Sequence, residues 1–235
     1  METVDNLFNH CSQISDNYES IEYSDDILLV KNIFKFPEKM LQFEKLLTKW
    51  ESRGNAKPGM MTLKLPYWTG NEIATRVLNI DNHVETVNEV EFIYFYYNNI
   101  CLDSNIYDLR SNNCFLPHTD PGPTRNVTNI IGLINLNQRS VKTGFWKFKG
   151  NLTDNDESLS DEYNQYTNTI NHDNYHEKIN NGILDNVFNV EYNFNDAIFY
   201  NSMCYHQPII DKFYTRENPR IMMRVSFVLD ESQDQ

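Results

Sequence analysis

The chain has 235 residues, a formal net charge of −13 and a hydrophobic fraction of 40%, which suits one globular domain with a sizeable core. The acidic charge disfavours sequence-independent binding to nucleic acid, and the lack of a polybasic or long apolar segment disfavours a membrane role. The four cysteines are widely spaced, and the N-terminus has no signal-peptide pattern. We therefore expect free thiols and a cytoplasmic location.

The first third of the chain is predicted to combine one strand with two helices. Residues 1–26 are polar and acidic, and we expect them to be partly loose. Apolar residues at strand or helical spacing predict the next elements, which are a strand over 27–33 and helices over 37–50 and about 71–87. We expect segment 1–89 to pack on the rest of the chain within one structural domain.

From residue 90 onward, short runs of β-branched and aromatic residues alternate with turn residues, as is typical of strands. The predicted strands cover 90–97, 105–109, 127–136, 144–149, 187–194, 197–201 and 221–229. Helices first and many strands later favour a mainly β fold with N-terminal helices, a sandwich or barrel, over βαβ units. Segment 151–182 is acidic and rich in Asn and Tyr, and we expect a long surface insertion there.

The run FLPHTD places His118 and Asp120 two residues apart. Residues i and i+2 lie on the same face of a strand, so one segment can present an imidazole and a carboxylate to one ion. His206 is the candidate third ligand. Two histidines and one carboxylate form a facial triad that leaves positions open on Fe(II), whereas zinc more often takes three histidines or cysteines. An H-x-D pair alone is a weak signal, because a lone histidine is more often a surface or core residue.

The features around this pair, from about Tyr94 to Asp230, resemble those of the 2-oxoglutarate- and Fe(II)-dependent dioxygenases, especially the prolyl-4-hydroxylase-like branch. The matching features are Tyr107, the H-x-D pair, the apolar run 130–136, Thr143-Gly144, the run 194–201, His206 and the final strand with Arg220 and Arg224. The resemblance implies a double-stranded β-helix (jelly roll) over 90–235 that uses Fe(II), 2-oxoglutarate and O2. It also implies hydroxylation of a C–H of a protein or small-molecule substrate, with release of succinate and CO2.

The resemblance further implies a cation for the far carboxylate of 2-oxoglutarate. Arg220 and Arg224 are four residues apart and share a face of a regular strand. Because Arg224-Val-Ser226 resembles an Arg-x-Ser pairing in part of the family, we predict Arg224 assisted by Ser226, with Arg220 as the alternate. Tyr107 is a candidate hydrogen-bond donor to the cosubstrate, and Asn129 a candidate lining residue. The competing interpretations are surface ion pairs for the arginines and purely structural roles for the others.

Two alternatives to this function remain open at the level of the sequence. One is a non-catalytic jelly-roll binding or structural protein, and the other is a cupin-type metal enzyme that does not use 2-oxoglutarate. The gap between His206 and Arg224 is longer than the family pattern, because 211–219 resembles an inserted loop, and this weakens the arginine assignment. His172 and His176 are four apart and could form a second metal site on a helix, although a solvated loop is the favoured interpretation. The primary substrate is not predicted.

Overall fold

The computed structural model describes residues 4–46, 50–52, 60–62, 72–79, 89–95, 117–120, 128–149, 184–209, 214 and 217–229. This part of the chain is mainly β-sheet, with few helices. The elements in chain order are α1 Val4–Cys11, β1 Glu19–Ser24, β2 Ile27–Lys31, α2 Pro37–Leu46, β3 Trp50–Ser52, β4 Met60–Thr62, a π-helical turn Ile73–Val77, β5 Glu89–Phe95, β6 Thr128–Asn135, β7 Val141–Phe148, β8 Leu184–Tyr192, β9 Ala197–Asn201, β10 Tyr205–Ile209 and β11 Arg220–Leu229. Among these helices, none has the length and apolar character needed to span a membrane.

The strands form two antiparallel sheets. The larger has eight strands in the order β1-β2-β9-β6-β11-β5-β4-β3, and the smaller has three in the order β10-β7-β8. Neighbouring strands are often far apart in sequence, as β11 is from both β5 and β6. The central strands of the larger sheet are therefore held by contacts that only the folded chain can make.

The two sheets pack face to face across one hydrophobic cluster. Ile131, Ile198 and Met222 of the larger sheet share this cluster with Phe145 and Val190 of the smaller sheet. We call the side of the larger sheet that faces the smaller one its inner face. Because side chains alternate along a strand, alternate residues of β6, β9 and β11 point to this face, and all the candidate site residues on these strands share it.

The helices cover the opposite face of the larger sheet. A second buried cluster joins Phe8 of α1 and Phe43 of α2 to Phe92 of β5, with ring centroids 5.2 Å apart for Phe8–Phe43 and 6.1 Å apart for Phe43–Phe92. An eight-residue helix is marginal by itself in water. The burial of Phe8 against α2 therefore accounts for the stability of α1.

Asn195, in the turn between β8 and β9, fixes the N-terminal segment to the sheet. Its φ of 68° is left-handed, a conformation that asparagine tolerates better than most residues. Its side chain accepts a hydrogen bond from the Phe34 amide and donates one to the Phe34 carbonyl, both at 3.0 Å. The Ile33 amide also donates to the Asn195 carbonyl at 2.9 Å, so the chain ahead of α2 is held in register with β9.

The predicted strands from residue 127 onward, and the strands predicted over 27–33 and 90–97, are confirmed with shifted ends. Three expectations are wrong in part. The segment predicted to be loose contains α1 and β1, the helix predicted over 37–50 ends at Leu46, and Trp50 instead pairs with Thr62 in a strand. The described part of the second predicted helix is a short π-helical turn. The strand predicted at 105–109 and the insertion 151–182 lie outside the described residues.

Candidate metal centre

The backbone brings His118 and Asp120 beside the segment that carries His206. His118 and His206 form an antiparallel bridge, in which the His118 amide donates to the His206 carbonyl at 2.9 Å and the reverse bond measures 2.8 Å. The Asp120 amide donates to the Ser202 carbonyl at 2.8 Å. The two ends of the sequence motif are thereby fixed by main-chain hydrogen bonds.

The three side chains converge on one point. One ligand atom from each of His118, Asp120 and His206 lies within 4.8 Å of the others, and the two imidazole centroids are 4.5 Å apart. Asp120 Oδ1 lies 4.0 Å from His118 Nε2, and Asp120 Oδ2 lies 3.7 Å from His206 Nε2. These separations suit ligands around a common ion, so the group can hold a metal ion.

His206 is prepared for ligation by its surroundings. Its Nδ1 lies 3.0 Å from the Cys204 carbonyl; since a carbonyl can only accept, Nδ1 carries the proton and Nε2 keeps its lone pair. Burial and, second, the neighbouring His118 lower the pKa of His206 to about 4. The imidazole is therefore neutral at pH 7, which is the form that binds metals.

The side chains of His118 and Asp120 are only partly covered. They are 26% and 19% exposed, compared with 5% for His206. The His206 side of the triad is thus covered by protein, while His118 and Asp120 keep part of their surface exposed to solvent. A ligand set of this kind can be reached by a small molecule.

Arg224 lies next to the triad. Its Nη2 is 3.5 Å from Asp120 Oδ2, and its side chain is 20% exposed. Ser226, two residues further along the inner face of β11, is 8% exposed. The structure therefore places Arg224, the arginine that the sequence favours for the cosubstrate, beside the triad.

Arg220 is at the other end of the inner face. It is fully buried and donates to the Lys142 carbonyl at 3.1 Å, the Ile209 carbonyl at 3.5 Å and the Tyr192 hydroxyl at 2.9 Å. Ile209 is three residues beyond His206 on β10, a distance of about 10 Å along a strand. These contacts join β7, β8, β10 and β11 at the end of the sheets remote from the triad.

Tyr200 is a site residue that the sequence did not single out. Its ring lies 4.6 Å, centroid to centroid, from the His206 imidazole, and it pairs across the sheet with Ile131, which in turn pairs with Ser226. Burial first and the charge of Asp120 second raise the pKa of Tyr200 well above its usual range, so the phenol stays protonated. Its position depends on the pairing of β9 with β6, which a single sequence does not reveal.

Asn129 is buried near the start of β6 on the inner face, and its predicted role as a lining residue stays a prediction. Tyr107, His172 and His176 lie outside the described residues. The convergence of the triad and the contact of Arg224 with Asp120 are observed, whereas the roles of Arg224, Ser226, Arg220 and Tyr107 toward a cosubstrate stay predictions.

Comparisons with protein-family models and with curated proteins found no match. Among solved structures, the chain is similar to the non-heme α-ketoglutarate-dependent epimerase SnoN from nogalamycin biosynthesis, at 12% identity and a TM-score of 0.47, over 86% of this chain and 77% of that one. It is similar to the non-heme α-ketoglutarate-dependent carbocyclase SnoK from nogalamycin biosynthesis, at 12% identity and a TM-score of 0.40, over 81% of this chain and 71% of that one. It is also similar to AviO1 from Streptomyces viridochromogenes Tue57, at 12% identity and a TM-score of 0.33, over 93% of this chain and 75% of that one. These likenesses are too distant to decide the function, which depends on the chain's own side chains.

Proposed function

We propose that this protein is a non-heme Fe(II)- and 2-oxoglutarate-dependent oxygenase. The observation that carries the proposal is the convergence of His118, Asp120 and His206 within 4.8 Å of one another. Two imidazoles and one carboxylate on one side of an ion leave the other side free for further ligands. Bound there, Fe(II) would supply the redox chemistry needed to activate O2.

The fold that we propose is a double-stranded β-helix, supported by the order in which the chain visits the two sheets. β5, β6, β9 and β11 lie in the larger sheet, and β7, β8 and β10 lie in the smaller sheet. The segment 117–120 adds to the smaller sheet through its bridge to β10. The chain thus passes back and forth between two facing sheets, which is the path of a jelly roll.

We propose Arg224, assisted by Ser226, as the site for a carboxylate of 2-oxoglutarate. The Arg224 guanidinium contacts Asp120; when Asp120 ligates a metal, Arg224 becomes available for another carboxylate, which guanidinium can bind through two parallel hydrogen bonds. Arg220 is the less suitable candidate, because its donors already serve two backbone carbonyls and Tyr192.

The proposed reaction is hydroxylation of a C–H in a small molecule or a protein side chain, with 2-oxoglutarate converted to succinate and CO2. The chain's own contribution is to hold the ligands, orient the cosubstrate through Arg224, and exclude water with the buried inner face. The proposed location is the cytoplasm, since Cys11 and Cys204 are not joined in a disulfide and reduced cysteines persist in reducing compartments.

Metal and cosubstrate binding test this proposal in separate variants. The wild type should bind about one equivalent of Fe(II) under anaerobic conditions, and His118→Ala should retain less than about a tenth of that. His10→Ala, which removes an exposed histidine at the end of α1, is the matched control and should bind as the wild type does. Full iron occupancy in His118→Ala would contradict the site.

The second variant separates cosubstrate binding from metal binding. Arg224→Met should keep the iron but raise the 2-oxoglutarate concentration needed for half-saturation by about tenfold or more, which corresponds to the loss of at least ~1.4 kcal/mol. Arg139→Met, an exposed arginine next to β6, should leave that concentration unchanged. An unchanged 2-oxoglutarate requirement in Arg224→Met would favour Arg220 or a metal enzyme that does not use this cosubstrate.

A further inference from the structure

Asn129 is a buried side chain whose amide oxygen has no hydrogen-bond partner among the described residues. The residue is 7% exposed, and its Oδ1 is buried without a partner within the described part of the chain. Most buried polar side-chain atoms are paired, because burying an unpaired one is unfavourable. An unpaired acceptor inside a folded protein therefore calls for a group beyond those that the described part of the chain supplies.

The position of Asn129 connects this acceptor with the triad. The Ser202 amide donates to the Asn129 carbonyl at 2.7 Å, and the Ser202 carbonyl accepts from the Asp120 amide at 2.8 Å. The Asn129 side chain is on the same face of β6 as Ile131 and Leu133, which belong to the cluster between the sheets. The unpaired oxygen thus lies at the triad end of the interior, one main-chain link from a ligand.

Asn135, on the same strand and the same face, shows how a purely structural asparagine behaves. It is fully buried and donates to the Arg139 carbonyl at 2.9 Å and to the Tyr192 carbonyl at 3.3 Å. Its oxygen accepts from the backbone and the side chain of Asn137 at 2.8 and 2.7 Å. Asn135 therefore meets its hydrogen-bonding needs within the protein, whereas the oxygen of Asn129 finds no partner in the ranges that the structure describes.

We propose that Asn129 orients the primary substrate by accepting a hydrogen bond from an O–H or N–H group close to the reacting carbon. This inference rests on the proposed function and names the kind of molecule on which that site acts. The cosubstrate cannot be the donor, because 2-oxoglutarate is a dianion at neutral pH with acceptors only. The substrate is thus an alcohol, amine or amide rather than a plain hydrocarbon chain.

Thermal unfolding of ligand-free protein gives the first test. Asn129→Leu removes an unpaired buried oxygen, so we expect a Tm equal to that of the wild type or a few degrees higher. Asn135→Leu removes four hydrogen bonds at a comparable position and should lower the Tm by about 4–10 °C. A fall of the same size in Asn129→Leu would show that the residue is structural and would overturn the proposal.

The second test asks whether the substrate must carry a hydrogen-bond donor, and it uses pairs of probe molecules with and without one. Small alcohols and primary amides are compared with their O-methyl and N,N-dimethyl counterparts at millimolar concentration, scoring stimulation of 2-oxoglutarate decarboxylation. The wild type should prefer the donor-bearing member of each pair, and Asn129→Leu should reduce that preference about tenfold, since a lost hydrogen bond at a buried site discriminates strongly. The ratio within one protein cancels any general loss of activity.

The outcomes distinguish this inference from the function on which it rests. A preference that is equal in Asn129→Leu and wild type would overturn the role of Asn129 while leaving the oxygenase proposal intact. A folded, iron-loaded wild type that decarboxylates no 2-oxoglutarate with any probe would overturn the oxygenase proposal, and the role of Asn129 with it.

Discussion

Replacement of Arg220 by methionine would remove a buried cation that joins four strands. Arg220 is fully buried, and its acceptors are Lys142 on β7, Tyr192 on β8 and Ile209 on β10. Methionine keeps most of the side-chain length and volume but has no donor. The substitution therefore tests the hydrogen bonds more than the packing.

The expected loss of stability follows from the three oxygen acceptors. A buried acceptor that loses its donor costs about 1–3 kcal/mol, and the Tyr192 hydroxyl keeps a contact with Thr143 Oγ1 at 3.1 Å, so its loss is at the low end. Removing a buried charge also removes its desolvation penalty, which offsets part of the cost. We expect a net loss of about 3 kcal/mol, a large fraction of the ~5–15 kcal/mol typical of a folded domain.

Urea unfolding followed by far-UV circular dichroism measures this loss. The midpoint should fall while the slope of the transition stays unchanged, because the folded and unfolded surfaces are nearly the same. For a chain of this size, a loss of about 3 kcal/mol corresponds to a Tm lower by roughly 6–12 °C. Arg224→Met is the matched control: its partly exposed contact with Asp120 should contribute about 1 kcal/mol or less.

The reasoning would be refuted if Arg220→Met unfolded within about 0.5 kcal/mol of the wild type. If that stable variant also failed to bind 2-oxoglutarate, Arg220 rather than Arg224 would be the residue that holds the cosubstrate.

Substitutions at three further positions test the packing and the charge of the core. Burial raises the pKa of Glu44 to about 7, so its ionisation lowers the stability of the folded protein as the pH rises from 4.5 through about 7. Glu44→Gln should therefore stabilise the protein by ~2 kcal/mol at pH 8 and by little at pH 4. Urea midpoints at the two pH values measure this difference. In Gly132→Ala the new methyl group would overlap the Phe199 ring and lie 2.5 Å from Val225 Cγ2, which should cost about 1–3 kcal/mol; an unchanged midpoint would mean that these side chains can move apart. Asn195→Ala should lower the free energy of unfolding by about 2–3 kcal/mol, because it removes two hydrogen bonds to the Phe34 backbone and puts alanine at a left-handed φ. Asn195→Gly should recover the part of this loss that is due to φ.

The strands near the end of the chain could be predicted because burial shapes their composition. β6 and β9 are central in the larger sheet, and their β-branched and aromatic residues mark them even in a single sequence. β1 is an edge strand with mostly exposed residues, so it lacks the alternation by which strands are recognised. α1 depends on the contact between Phe8 and Phe43, a tertiary interaction that no local pattern contains.

β10 and the end of α2 were missed for related reasons. Pro208 lies within β10, and a proline normally argues against a strand; the structure accommodates it because β10 comes first in the strand order of the smaller sheet. Trp50 continues the helical spacing of α2 but pairs with Thr62. Sheet pairing at Trp50 therefore overrides a local preference that the sequence alone would favour.

Part of the candidate site could likewise be predicted from the sequence, and part could not. His118 and Asp120 could be predicted because strand geometry puts residues two apart on one face, and His206 followed from its place in the order of motifs. The same geometry put Arg220 and Arg224 on one face but could not separate their roles. Their surroundings differ in the structure, because Arg220 donates to the carbonyls of Lys142 and Ile209 on two other strands, whereas Arg224 contacts Asp120.

The most direct test of the central claim is an anaerobic titration of the purified protein with Fe(II) and then 2-oxoglutarate, followed by visible absorption. We expect a weak charge-transfer band of the iron–2-oxoglutarate chelate that saturates at about one equivalent of iron. The band should be absent in His118→Ala and should need more 2-oxoglutarate in Arg224→Met. Iron binding without the band would contradict the use of 2-oxoglutarate, and a folded protein that binds no iron would contradict the metal centre itself.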